Sequence, residues 1–218
     1  MKINLLIISL FNFSLSNAQI TKGNLFIGGD VYLAIFNTNN TNANGDISKS
    51  SSVGFSPTIG WVTKDNLVVG ASILTNFNSN SSTNSNNYNR SNRIGAGVWM
   101  RKYLPIGKSF YLFGNGMLSA QSLYNSNNIV PQPNFYEEKG YSINVILVPG
   151  IAYQVNKRLF LDAALNNLFS LGYERKNTDY QISGSPRIKR VTNSFNLSSG
   201  IGSVTPLQVG MRWMIARK

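Results

Sequence analysis

The sequence predicts an all-β fold: a single closed, antiparallel, up-and-down β-barrel of about eight strands. Three observations lead to this prediction. Apolar and polar residues alternate along about eight long segments, the connections alternate strictly between long and short, and aromatic residues gather near both ends of the segments. In an up-and-down barrel this order places all the long loops at one end and all the short turns at the other.

Each predicted strand reaches the ~9–11 residues with which a tilted strand crosses a membrane, whereas strands of most globular sheets have about 5–6. The predicted strands span residues 23–36, 52–62, 67–78, 93–104, 109–124, 140–154 and 158–172, and a last strand ends near Ile215. The short turns fall at 63–66, 105–108 and 155–157, and the long loops at 37–51, 79–92, 125–139 and from 173 to 193 or beyond.

The clearest pattern is a hairpin with the sequence FSPTIGWVTKDNLVVGAS, residues 55–72. Successive side chains of a strand point to opposite faces, so its first strand divides into two sets. The apolar set is Phe55, Pro57, Ile59 and Trp61, and the small or polar set is Ser56, Thr58 and Gly60. We expect the apolar set to face lipid and the other set to face the interior of a transmembrane barrel.

Aromatic residues support the transmembrane interpretation. Five of them are expected at the membrane interface beside the short turns or the chain ends: Trp61, Tyr103, Phe110, Tyr153 and Trp213. Aromatic girdles at both rims are typical of transmembrane barrels. The alternative is a barrel of lipocalin type, in which the aromatic side chains would cluster in the interior.

The N-terminal segment has the layout of a secretory signal peptide. A positive start is followed by an apolar run and by the small-residue stretch SLSNAQ, which predicts a signal peptide at 1–18 and a single β-barrel domain at 19–218. The chain has no Cys and no His, a net charge of +12, and only 13% charged residues. The low charged fraction suits a chain whose surface does not all face water.

The predicted interior of the barrel contains ionised side chains. Asp30, Arg101, Asp162 and Arg212 all have interior parity in the predicted register. Unpaired charges are costly in a narrow lumen, so we expect Asp162 to pair with Arg212, and Asp30 to share Arg212 or Arg101. Two interpretations stay open, a satisfied network that makes the barrel rigid and a pathway for ions.

Basic residues concentrate in the last predicted loop. Arg187, Lys189 and Arg190 lie in the segment SPRIKRVT. Cationic side chains at an outer rim attract anionic lipid phosphates, so these three are candidates for contacts with glycolipid phosphate. The alternative is an ordinary solvated run of charges.

No motif for chemistry stands out. Without Cys or His there is no credible nucleophile–base pair, and we expect no catalytic residue, no cofactor and no metal site. The basic residues are scattered over both ends of the predicted barrel, so nucleic acid is not an expected partner. The chain is therefore predicted not to be an enzyme.

Four segments resemble a known family, the small outer-membrane β-barrels of the OmpX/OmpA-like porin superfamily of Gram-negative bacteria. They are LFIGGDVYLAIF at 25–36, GFSPTIGWVTKDNLVVGAS at 54–72, GVWMRKYLP at 97–105 and LQVGMRWMI at 207–215. Chains of this family often end on an aromatic residue that is recognised during assembly, whereas this sequence ends IARK, so Trp213 or Ile215 would serve instead.

The resemblance implies a place in the cell outer membrane, with outer-membrane lipid, lipopolysaccharide and the outer-membrane assembly machinery as partners. It implies a monomer with a structural or surface-interaction role in envelope integrity, in which the loops contact glycolipid or partners. The alternative function is a porin-like channel for small solutes or ions. The narrow, charged interior favours the first function, and the porin label favours the second.

Overall fold

The computed structural model describes residues 20–39, 47–82, 88–129, 134–165, 168–181, 185–199 and 207–216. The predicted signal peptide at 1–18 lies outside these residues. The described residues form ten β-strands: β1 Leu25–Asn39, β2 Ile47–Lys64, β3 Leu67–Ser82, β4 Tyr88–Pro105, β5 Phe110–Ile129, β6 Asn134–Gln154, β7 Leu159–Leu165, β8 Phe169–Gln181, β9 Ile188–Ser199 and β10 Leu207–Ile215. They contain no helix long and apolar enough to cross a membrane.

All ten strands belong to one antiparallel sheet, and their pairings run in a ring. Neighbouring strands pair in the order β1, β2, β3, β4, β5 and β6, then β6 pairs with β7, β7 with β10, and β10 with β1. β8 pairs with the outer part of β6, and β9 pairs with β8. The structure thus confirms the all-β, antiparallel prediction. The interior face of the ring is called the lumen below.

The strand boundaries differ from the predicted ones at the long-loop end. The predicted loop from 173 to 193 forms the arms of a hairpin, β8 and β9, and strands β1 to β6 extend well into the other predicted long loops. These polar segments become strands because each one finds a neighbour: Tyr141 pairs with Arg175 and Tyr173 pairs with Phe195. Long loops were therefore a wrong interpretation of much of this polar sequence.

The pleat divides the strands into an apolar outer face and a polar inner face. On β2, Phe55, Ile59 and Trp61 are exposed on the outside of the ring, while Ser56 and Thr58 line the lumen. The turn to β3 is tight because Asn66 adopts a left-handed conformation with φ 60°, which Asn tolerates well.

The core lies in the lumen at the short-turn end of the ring. It is an aromatic cluster formed by Phe26, Tyr103, Tyr111, Phe113 and Phe160, each at most 3% exposed. Ring centroids of neighbours in this cluster lie 5.5–6.3 Å apart. Ile20 closes the cluster from below, held by the hydrogen bond from its N–H to Asn66 Oδ1 at 2.9 Å.

The two strand prolines behave differently from one another. Proline cannot donate to a ladder, so a bulge is common where it lies inside a strand. At Pro57 no bulge forms: the β2–β3 pairing lapses at Ser56 and Pro57 and resumes in the same register. Near Pro149 the neighbouring strand is interrupted instead, since β6 changes partner from β7 to β8 between Gly150 and Leu147.

Candidate functional site

Four charged side chains meet in the lumen directly above the aromatic cluster. Asp30 on β1, Arg101 on β4, Asp162 on β7 and Arg212 on β10 all lie on the inner face of their strands. Arg101, Asp162 and Arg212 are at most 5% exposed. We call these four residues the lumen charge cluster.

Arg212 joins the two acids of the cluster. Its Nη2 donates to Asp30 Oδ1 at 2.9 Å and to Oδ2 at 3.1 Å, and its Nε lies 2.8 Å from Asp162 Oδ2. The Nε–H does not point along that second contact, so the pair with Asp162 is an ion pair without a hydrogen bond. Asp162 on β7 pairs with Gly210 on β10. Arg212, two residues further along β10, therefore lies diagonally opposite Asp162.

Arg101 completes the cluster from the opposite wall. Its Nη1 donates to Asp162 Oδ2 and, at 3.4 Å, to the hydroxyl of Tyr103. Its guanidinium carbon lies 4.0 Å from the centre of the Phe113 ring, a distance typical of a cation–π contact. The cluster is thereby held between an aromatic floor and the polar lumen above it.

The four charges of the lumen charge cluster sum to zero, but several of its buried polar atoms have no hydrogen-bond partner. Two guanidinium groups face two carboxylates, so the cluster is formally neutral. Among the described residues, Arg101 Nε, Arg212 Nε and Asp162 Oδ1 are buried without a hydrogen-bond partner. Buried polar groups without partners are costly, and in folded proteins they often mark a ligand or a function.

A cavity of about 460 Å³ lies above the cluster, within the ring. Its lining comes from β1 to β7 and from β10, and it reaches from Arg101 and Arg212 outward to Ser52 and Asn78. The walls are mostly hydroxyl and amide side chains, with Trp99 near the base. This chemistry suits the binding of a small polar molecule or water more than a covalent reaction.

The outer mouth of the ring, beyond Tyr141 on β6, holds a second group of charges. Glu138 is 7% exposed and accepts hydrogen bonds from Asn125 Nδ2 at 2.6 Å and from the Tyr136 hydroxyl at 3.1 Å. Lys176 lies 3.4 Å away. Burial opposes the ionisation of Glu138, but the hydrogen bond from Asn125 and the charge of Lys176 overcome it, so the pKa of Glu138 lies below its usual value.

The mouth also carries Glu174, which lies 2.6 Å from Lys176 and 3.7 Å from Arg93. Cations therefore separate the carboxylates of this region. Within the part of the chain that the structure describes, no three Asp or Glu side chains come together as a metal site would require.

The three predicted phosphate-contact residues lie at the tip of the β8–β9 hairpin. Arg187 precedes β9, and its Nε donates to Asp179 Oδ1 at 2.5 Å. That hydrogen bond lowers the pKa of Asp179. Lys189 and Arg190 lie on β9 and are exposed. The three residues therefore lie together on one arm of the hairpin, and Arg187 is hydrogen-bonded to Asp179 on the other arm.

Four of the five predicted interfacial aromatics lie on the outer face: Trp61, Phe110, Tyr153 and Trp213 are each 40–49% exposed. Phe110 and Tyr153 pack against each other with ring centroids 4.8 Å apart. The prediction for Tyr103 was wrong, because this residue is 1% exposed inside the aromatic cluster. β4 is unbroken between Arg101 and Tyr103, so two residues of spacing place both on the same, inner face.

Sequence reasoning missed three features of the site: the reach of Arg101 to Asp162, the position of Trp99 in the lumen, and the role of Glu138. Parity could have found the second, because Trp99 lies two residues before Arg101 on the same strand. The contact of Arg101 with Asp162 depends on which strands face one another across the ring, and the role of Glu138 depends on the pairing of β6 with β5 and β8.

The described geometry therefore consists of a neutral charge cluster, a polar cavity above it and a charged outer mouth. Comparison of the chain with models of known protein families gave no match. Comparison with curated proteins gave no match either.

Proposed function

We propose that this chain is an integral outer-membrane protein, a closed eight-stranded β-barrel with a structural and surface-interaction role in the cell envelope. In this proposal β7 and β8 together occupy the place of one strand of the barrel, and β9 and β10 together occupy that of another. The ring of pairings through β1 to β7 and β10 supports closure, because each strand in it has two neighbours.

The proposal rests on the polarity of the two faces of the sheet: the outer face is apolar and the inner face is polar. Large apolar side chains are exposed on the outside of strands all around the ring: Ile35 on β1, Ile73 on β3, Val98 on β4, Leu118 on β5 and Met211 on β10 are examples. Charged side chains are buried inside. Monomeric proteins in water rarely expose apolar patches above a few hundred Å², whereas lipid solvates such a surface.

The height of the apolar surface suits a membrane. On β6 the outward apolar residues run from Tyr141 to Tyr153. Twelve steps at ~3.3 Å, on a strand tilted by ~45°, span about 28 Å, close to the ~25 Å of an outer-membrane apolar band. Lys139 and Arg175 follow immediately beyond it as exposed cations.

The lower end of the lumen supports a structural role over transport. The aromatic cluster and the lumen charge cluster together fill the ring at the short-turn end. An eight-stranded barrel is just wide enough for its own side chains to fill. In this proposal the outer end contacts lipopolysaccharide or partners, and the cationic residues Lys189 and Arg190 favour anionic lipid phosphates there.

The alternative function is a porin-like channel for small solutes or ions. The cavity of about 460 Å³ in the outer half of the lumen favours it. Conductance of the purified protein in planar bilayers separates the two functions. Steady single-channel openings would favour the channel, and a silent bilayer with correctly inserted protein would favour the structural role.

The three tryptophans allow a direct test of the membrane proposal. Trp61 and Trp213 lie on the outer face, and Trp99 lies in the lumen at 5% exposure. Three single-tryptophan variants, with the other two residues changed to Phe, are folded into vesicles that contain lipids brominated along the acyl chain. The bromine quenches tryptophan fluorescence on contact.

We expect quenching of Trp61 and Trp213 and little quenching of Trp99. Trp99 serves as the matched control, because it has the same fluorophore in the same protein but lies on the other side of the wall. Equal quenching of all three residues, or none of the outer two, would refute the proposed orientation in a bilayer.

A further inference from the structure

The cavity above the lumen charge cluster has the features of a binding site. Its walls present hydroxyl groups, among them Ser56, Thr58 and Ser72, and amide groups, among them Asn76, Gln121 and Gln208. At about 460 Å³ it falls within the ~300–1,000 Å³ of small-molecule sites. The aromatic cluster closes the lower end, so the cavity is a cup that a solute enters from the outer end.

The base of the cup carries polar groups without partners. Trp99 Nε1, Arg101 Nε and Arg212 Nε are N–H donors that find no hydrogen-bond acceptor among the described residues, and their residues are at most 5% exposed. Asn115 Oδ1 is an acceptor in the same situation. All four residues line the cavity. These four atoms are buried away from the cavity, while other parts of the same side chains line it.

Glycines hold Trp99 in place at this base. Gly60 and Gly70 face each other on β2 and β3, and Trp99 on β4 is the next partner of Gly70. The indole ring lies over both glycines, so that a Cβ at Gly60 would come within 2.6 Å of it. With its side chain against the wall, Trp99 leaves the centre of the lumen free.

The charges around the cup select against ions. An anion near Arg101 and Arg212 would also meet the carboxylates of Asp30 and Asp162, which those arginines already engage. A cation would meet both arginines. Arg93, higher on the wall, faces Glu174 at 3.7 Å. The lining itself carries Arg93, Arg101, Arg212 and Asp30, and the carboxylates of Asp162 and Glu174 behind it compensate the remaining positive charge.

From these observations we infer that the lumen cup binds a neutral, polyhydroxylated small molecule, a mono- or disaccharide in chemical class. Such a ligand supplies hydrogen-bond donors and acceptors for the hydroxyl and amide groups of the wall. This goes beyond the proposed envelope role, since it assigns a ligand to the interior of the barrel.

The indole N–H of Trp99 reports on binding directly. In the variant with Trp61→Phe and Trp213→Phe, the ¹⁵N-labelled protein in detergent micelles gives one indole resonance. Glucose and maltose are the neutral probes, and glucuronate and inorganic phosphate are the anionic ones. We expect a saturable shift of the resonance with a neutral probe and a weaker response to both anions.

Two variants of neighbouring residues on β5 localise the effect. Gln121→Leu removes an amide of the cup, and loss of a hydrogen bond is expected to raise the half-saturating concentration about tenfold. Ser122→Leu changes the next residue, which is exposed on the outer face, and should leave binding unchanged. The unmutated lumen is tested first, so the inference does not depend on the folding of Gln121→Leu.

Absence of a saturable shift with glucose and with maltose would overturn the inference, as would equal effects of the two β5 variants. Tighter binding of glucuronate or phosphate would overturn the assignment to neutral ligands. The quenching of Trp61 and Trp213 by brominated lipid is measured separately, so a failed titration leaves the membrane proposal intact.

Discussion

Arg212 Nε lies 2.8 Å from Asp162 Oδ2, and the same carboxylate oxygen accepts a hydrogen bond from Arg101 across the lumen. Asp162 thus compensates two buried cations, each at most 5% exposed. We predict that Asp162→Asn lowers the free energy of unfolding by about 3–5 kcal/mol, because removing one partner leaves buried charge uncompensated. Urea unfolding in lipid vesicles measures it.

A double-mutant cycle tests the pair itself. Arg212→Gln and the double variant with Asp162→Asn complete the cycle. We expect the double variant to lose about 1–3 kcal/mol less than the sum of the single losses, as groups in direct contact do. Additive losses would show that the two side chains do not stabilise each other.

The inner face of the ring was predictable from sequence because strand periodicity is two and needs no knowledge of neighbours. Asp30, Asp162 and Arg212 follow from parity alone, and so does the outward position of Trp61. The same rule applied consistently would have placed Tyr103 inside with Arg101. The prediction for Tyr103 was wrong because it relied on the position of Tyr103 near a turn rather than on the alternation of side chains along β4.

Two other features could not be predicted from the sequence, because they depend on contacts between different strands. The contact of Arg101 with Asp162 joins β4 and β7, which do not pair, so it depends on the diameter of the ring. The outer part of the β8–β9 hairpin, beyond Tyr173 on β8, is mostly polar. This part forms strands because β8 pairs with the outer part of β6 and β9 pairs with β8. The sequence of the hairpin alone does not indicate that pairing with β6.

The glycine pair beneath Trp99 leads to a second prediction. Gly60→Ala would place a Cβ 2.6 Å from Trp99 Cη2, so the indole must move. Overpacking of this kind costs ~1–3 kcal/mol, and we expect a loss of that size together with a changed emission maximum in the variant whose only tryptophan is Trp99. Unfolding curves and emission spectra are the measurements.

Gly114→Ala is the matched control, because a Cβ at Gly114 has no atom within 4 Å. It should leave both stability and emission nearly unchanged. In the Trp99→Leu background, Gly60→Ala should become less harmful. If it costs the same with or without the indole, strain in the backbone rather than contact with Trp99 is the cause.

The lowered pKa of Glu138 predicts that the free energy of unfolding depends on pH. Its pKa is lowered in the folded barrel, so its ionised form contributes stability above its ordinary pKa of about 4.5, and this contribution is lost as the pH falls through the lower folded value. Glu138→Gln should therefore be destabilised by ~1.5–3 kcal/mol at neutral pH, the usual contribution of a hydrogen bond to a charged group. The difference from the unmutated protein should shrink in acid.

Urea unfolding at neutral pH and at pH values below 4.5 measures this difference. The neighbouring variant Glu137→Gln is the control, because Glu137 pairs with Lys139 at 2.8 Å on the more exposed face. It should cost little at any pH. A difference between Glu138→Gln and the unmutated protein that stays constant with pH would contradict the assignment of the stabilising charge to Glu138.

The basic residues at the tip of the β8–β9 hairpin give the last prediction. Reversal of charge at Lys189 and Arg190, both to Glu, should weaken retention of lipopolysaccharide, because exposed cations near the outer rim attract lipid phosphate. Arg187→Glu is made separately, since Arg187 also holds Asp179 and its loss would disturb the hairpin. Lipopolysaccharide that copurifies with the protein is quantified at low and at high salt.

Charge reversal of Lys102 and Lys108, at the short-turn end, is the matched control with the same change in net charge. It should leave retention unchanged if the lipopolysaccharide is held at the outer rim. Equal losses for the two pairs would show that only net charge matters. Unchanged retention in the Lys189 and Arg190 variant would mean that these side chains are an ordinary solvated run of charges.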